Sequence, residues 1–142
     1  MGYMMSLQAS VFSMSREAGY YAHAVVRNLF GRGLETIRDG SGAHFRWVDT
    51  KKVLDARDFP AVMEAWGFTL ATNDIGDYIG IRFLTPVMKL GDEEILLKAI
   101  APYVDEGSYI TVKGEDDARW RWHFQRGTLV TEEISVPPAS RE

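Results

Sequence analysis

The chain contains no cysteine. That absence removes disulfides, thiolate nucleophiles, cysteine-ligated zinc and iron–sulfur clusters from its chemistry. It also suits a reducing compartment, and a cytoplasmic location is expected. No apolar run approaches the roughly 20 residues that span a bilayer. The opening stretch, MGYMMSLQASVFSMSREAGYY, lacks the basic start and apolar core of a secretion signal. An excess of positive charge is missing as well. The 16 Lys and Arg face 20 Asp and Glu, for a formal net charge of -4, which argues against a general polyanion binder.

Histidine is scarce, and His23, His44 and His123 have no spacing typical of metal ligands. There is no GxSxG, no Walker A sequence and no GxGxxG between a strand and a helix. Gly31-Arg32-Gly33 is too short for a phosphate loop and reads as a helix stop. Glu93 and Glu94 are adjacent, so on a helix they do not share a face and do not form an acid/base pair. No catalytic residue, metal or cofactor is expected, and the chain does not read as an enzyme.

What is present is the material of an ordinary globular domain. The 142 residues are 46% apolar and 25% charged, enough to build one core. Residues 1–136 are expected to form a single domain, and Pro137-Pro138-Ala139-Ser140 to begin a flexible tail over 137–142. Residues 3–14 alternate, with Met5, Leu7, Ala9 and Val11 on one face, and predict a strand. Ser15 is a good helix cap, and Ala18, Tyr21, Ala22, Val25 and Leu29 form the expected inward stripe. On that reading His23 is exposed. A polar loop over 35–44 leads to a short strand at Ala43–Val48. Asp49 and Asp58 each cap a short helix, the second with Pro60 in its first turn and Val62, Met63 and Trp66 facing inward. Phe68–Thr72 and Tyr78–Leu84 read as a hairpin, with Ile79, Ile81 and Phe83 on one side. Leu90–Ala101 reads as a helix capped by Asp92, with Ile95, Leu96, Ala99 and Ile100 inward and Pro102 at its end.

Three strands then fill Gly107–Ile134. Arg119-Trp120-Arg121-Trp122-His123-Phe124 alternates across a strand, so Trp120, Trp122 and Phe124 share one face. Arg119, Arg121, His123 and Gln125 share the other. Indole burial favours the aromatics as core over a base-stacking platform. The Arg/His row is then a candidate binding face for an anion or an acidic partner, with pairing to Glu132 and Glu133 on the next strand as the plainer reading. Glu115-Asp116-Asp117 lacks the alternate carboxylates of a calcium loop and reads as a solvated turn. The element order, with the segment 43–67 set aside as a short-helix insertion, is β-α-β-β-α-β plus a C-terminal hairpin. This predicts an α+β domain of ferredoxin-like, split βαβ plan, with an antiparallel sheet and two main helices on one face.

Phe45-Arg46-Trp47-Val48-Asp49-Thr50, Leu90-Gly91-Asp92-Glu93-Glu94, Ala99 to Val104, Gly107-Ser108-Tyr109-Ile110, Gly114-Glu115-Asp116 and Trp120-Arg121-Trp122 together resemble a small family of bacterial proteins. The resemblance spans roughly residues 45–130. That family is carried in genomes, prophages and mobile elements and has no assigned activity, so no functional residue carries over. By fold-level analogy the plan is also similar to ferredoxin-like domains of phage and plasmid proteins. The expected function is protein–protein binding without catalysis, with inhibition of a host defence nuclease system (anti-CRISPR or antirestriction type) as the particular role. Two alternatives stand beside it: a single-stranded nucleic-acid-binding module that uses the sheet face, and a small-ligand sensor with a pocket between sheet and helices.

Overall fold

The structure is a computed structural model that describes residues 3–29 and 48–134. The polar loop at 35–44, all but Val48 of the strand expected at 43–48, His44 and the tail at 137–142 lie outside those residues. Val48 itself is not in a strand.

The described chain is α+β. Strand β1 (Met4–Val11) leads into helix α1 (Arg16–Asn28), then short helices α2 (Thr50–Asp55) and α3 (Phe59–Ala65). Strands β2 (Phe68–Thr72), β3 (Tyr78–Phe83) and β4 (Met88–Lys89) follow. Helix α4 (Glu93–Ile100) runs into a 3-10 turn, and strands β5 (Tyr109–Gly114), β6 (Arg119–Gln125) and β7 (Thr128–Glu133) finish the fold. The main sheet is five-stranded and antiparallel, in the order β4-β1-β5-β6-β7, and β2-β3 form a separate pair. The pair touches β1 through a 2.7 Å bond from the Ser10 hydroxyl to the Ile81 carbonyl, and the segment after β1 through the Met14–Tyr78 bridge.

Three of the four predicted caps form. Ser15 Oγ accepts from the Ala18 amide, Asp49 from Lys52 and Asp58 from Ala61. Each such cap contributes about 1 kcal/mol. Asp92 precedes α4 without a side-chain capping bond. Between β6 and β7, Arg126 (φ 53°) and Gly127 (φ 77°) are both left-handed. That is the two-residue turn whose twist matches the strands it joins.

The core joins Met5, Ile110, Val112, Trp122 and Phe124 of the sheet to Ala22 and Val26 of α1, Val62, Met63 and Trp66 at α3, and Leu96, Leu97 and Ile100 of α4. Each large apolar side chain buried this fully contributes roughly 1.5–3 kcal/mol.

Four expected faces are corrected. On β1 Met5 is buried but Ala9 and Val11 are exposed, because the pairing with β5 slips between Leu7 and Ala9, and Phe12 and Met14 beyond the strand turn inward instead. On α1 the inward residues are Gly19, Ala22 and Val26, whereas Tyr21 is 60% exposed. The stripe is rotated because α1 closes on β3 at Gly19, where an added Cβ would stand 2.6 Å from the Tyr78 ring. On β3, Ile79 is exposed and Tyr78 buried, because the pairing with β2 slips between Ala71 and Thr72 and the two residues exchange faces. On α4 the inward set is Glu93, Leu96, Leu97 and Ile100, and Ile95 is exposed. Both sets have helical spacing; the observed one buries a carboxylate, which composition does not suggest.

Candidate functional site

The two faces of β5-β6-β7 differ sharply. Trp122 and Phe124 are buried beneath the helices, and the Trp122 indole donates a 3.0 Å bond to Glu94 Oε2 on α4. The Thr131 hydroxyl donates to the same oxygen at 3.2 Å. Trp120, next along that face, is half-buried and meets Trp122 edge-on at 6.0 Å between centroids.

Arg119, Arg121, His123 and Gln125 occupy the opposite face, each half-buried. Register sets Lys113 opposite Arg119, Thr111 opposite Arg121 and Tyr109 opposite His123. Arg121 is held firmly. Its Nε donates to Thr111 Oγ1 at 3.0 Å, and its guanidinium carbon lies 4.3 Å from the centre of the Tyr109 ring. A cation seated on an aromatic face in this way gains about 0.5–1 kcal/mol at an exposed site and is fixed in direction. Gln125 Nε2 donates to His123 Nδ1 at 2.9 Å, which requires that nitrogen to be bare. Glu132 Oε1 stands 3.7 Å from the same nitrogen and can pair with it only when the imidazole is protonated there.

The expected pairing of the row with both Glu132 and Glu133 holds for one residue only. Glu132 approaches His123, but Glu133 pairs in register with Trp120 and lies on the other side of the sheet. Neighbours on a strand point in opposite directions, so both carboxylates cannot serve one face. Arg119 has a buried Nε without a hydrogen-bond partner among the described residues. It also borders a cleft on the covered side, so it is not simply a fourth member of an open row.

Two features escaped the sequence. The partners Tyr109 and Thr111 could have been found from their own alternation opposite β6. The second feature is that cleft, about 520 Å³, between Tyr3, Leu90, Glu94, Trp120, Thr131 and Glu133. Tyr3 and Trp120 are 117 positions apart in sequence, and no local pattern links them.

The acidic turn is exposed, yet it does more than face solvent. The Tyr3 hydroxyl donates to Asp116 and the Met4 amide to Glu115, which ties the start of β1 to the β5-β6 turn. The Tyr3 bond holds the Asp116 carboxyl below its usual range, and the same bond raises the Tyr3 phenol. His23 is half-buried rather than exposed, with Nε2 3.0 Å from the Ala56 carbonyl, to which it donates.

Among the described residues no group of three or more His, Cys, Asp or Glu side chains is arranged to hold a metal ion. No helix among them is long and apolar enough to cross a membrane. Comparison with protein-family models, curated proteins and solved structures returned no match.

Proposed function

We propose that the chain is a non-catalytic protein-binding module that uses the sheet face opposite the described helices to engage an acidic segment of a partner protein. The observation that carries this reading is Arg121, pinned by Thr111 and Tyr109 on the face opposite the helices. Lys113 and His123 flank it in register. Lys113 is paired with Asp117 at 3.2 Å and His123 is in contact with Gln125 and Glu132, so the reading rests on the Arg121 guanidinium itself. A guanidinium ordered before binding loses less entropy when a carboxylate arrives, so its contribution to affinity is larger. Inhibition of a host defence nuclease remains the particular role that small size suggests. A basic face fits an acidic patch on such a nuclease better than its DNA channel.

The finer fold reading belongs to the same proposal. The order β1-α1-β2-β3-α4-β5, with β1 paired to β5 and the β2-β3 pair held against β1 by the Ser10–Ile81 bond, supports a ferredoxin-like plan extended by the β6-β7 hairpin.

The nucleic-acid reading draws on Tyr109 and His123, the aromatic rings of that face, 6.4 Å apart and perpendicular. Arg121 already covers the Tyr109 ring, and Trp122 is shielded on the other face, so little stacking surface is left.

The test is capture of partners from bacterial lysate by the wild-type chain and by Arg121→Glu. A discrete partner retained by the wild type, lost by the variant and weakened by salt supports the reading. Equal capture by both chains, or none over a range of salt, overturns it. Binding of single-stranded RNA by the wild type and not by Arg121→Glu would favour the nucleic-acid alternative.

A further inference from the structure

We infer that the cleft beside Trp120 is a binding site for an alkylated ammonium head group. It is separate from the open sheet face and independent of the function proposed for that face. The cleft measures about 520 Å³, within the ordinary range for small-ligand sites. Two of its walls are aromatic. The rings of Tyr3 and Trp120 lie 6.4 Å apart and are inclined at 35°, so they present a partly open angle rather than a closed stack. Leu90 adds an aliphatic wall.

The charges in the cleft fit the same ligand. Glu94 and Glu133 both line it, against the single guanidinium of Arg119, which leaves it net negative. Glu94 is placed rather than floppy, because its Oε2 accepts from both the Trp122 indole and the Thr131 hydroxyl. Tyr3 is anchored in turn by the bond from its hydroxyl to Asp116. A quaternary or methylated ammonium suits such a site: its weakly hydrated methyl groups pack on π faces, and its charge is answered by carboxylates that need not hydrogen-bond to it. An ordinary anion would meet two carboxylates, and a neutral apolar ligand would bring no charge to offset theirs.

The experiment titrates the full chain with choline and with 3,3-dimethylbutan-1-ol, its neutral isostere. Tryptophan fluorescence and amide chemical shifts are the readouts. Saturable choline binding is expected, with the isostere about tenfold weaker, the factor a cation–π contribution of the usual size gives. The shifts should centre on Trp120. A peptide that carries trimethyllysine separates a free small molecule from a protein side chain as bearer of the head group, and preference for either carrier supports the chemistry.

Trp120→Ala should abolish binding. Glu133→Gln, at an exposed position that tolerates change, should weaken it severalfold, while Tyr21→Ala on the far surface leaves it intact. Circular dichroism checks that each variant is folded. Equal affinity for choline and its isostere, no saturable response to any probe, or undiminished binding by folded Trp120→Ala would each overturn the assignment.

Discussion

Arg121 and Trp122 are adjacent in the chain and opposite in fate. The indole of Trp122 is wholly buried and spends its N–H on Glu94. The guanidinium of Arg121 stays at the surface, braced by Thr111 and Tyr109. The same contrast separates the two faces of the whole β5-β6-β7 ribbon. The covered face gains its stability from area removed from water and from dense packing. The open face gains little that way, and the order found there is order of direction, which matters for recognition. A strand of alternating Arg and Trp is thus two devices printed on one backbone.

The largest way to break the contrast is Trp122→Ala. It removes the largest buried side chain of the sheet and leaves a cavity against α4, which costs about 3–5 kcal/mol. Glu94 would also lose a donor. Trp122→Phe should cost clearly less, since it keeps most of the packing and forfeits mainly the indole bond. Urea unfolding of both variants measures the two parts. A loss under about 1 kcal/mol for Trp122→Ala would mean that the covered face is not the structural centre of the domain.

A smaller effect tests whether the covered side is as uniformly apolar as the contrast implies. Glu93 is buried in the first turn of α4, with its carboxylate accepting a 2.7 Å bond from the Gly91 amide. Burial raises its pKa above the ordinary value of 4.5, and the Gly91 bond offsets part of that rise. In this range the native state binds more protons than the unfolded chain, so stability falls as pH climbs from the ordinary value through the raised native one. Glu93→Gln removes that loss and keeps an oxygen for the Gly91 amide. Thermal melts should therefore place the variant above the wild type at neutral pH, with the gap closing as pH falls toward 4.5. A gap that does not change with pH would show that Glu93 titrates alike in both states.

These two residues also show what the sequence could and could not carry. The faces of β6 were readable, because strand periodicity is strict and six alternating residues leave no choice of register. The caps at Ser15, Asp49 and Asp58 were readable because capping is local chemistry. The rotation of α4 was not. Two helical stripes fit its residues, and the one adopted buries Glu93, a choice set by what the helix packs on. The exchange of Tyr78 and Ile79 was hidden for a related reason, since a pairing slip between strands leaves no local mark. The Trp120 cleft was further still from view, as it needs Tyr3, just ahead of β1, to lie across Gly114 of β5 so that its ring reaches Trp120. The split of the strands into a five-stranded sheet and a separate pair, linked by the Met14–Tyr78 bridge and the Ser10–Ile81 bond, is a matter of pairing that no periodicity specifies.

The smallest stability effect belongs to the open face, and it sharpens the comparison most. Arg121→Ala removes a half-buried side chain, one bond to Thr111 and a cation–π contact. The Thr111 side chain is nearly buried, at 8% exposure, but its hydroxyl can rotate toward other acceptors. Unfolding free energy should therefore fall by no more than about 1 kcal/mol, the scale of surface contacts of this kind. Its neighbour one position along should cost three or more times as much. Partner capture should rank the two residues the other way. A folded Arg121 variant loses the partner, whereas Trp122→Phe, altered only on the far side of the sheet, retains it. If Arg121→Ala proved as destabilising as Trp122→Ala, the open face would be a structural one, and its ordered guanidinium would need no partner to explain it.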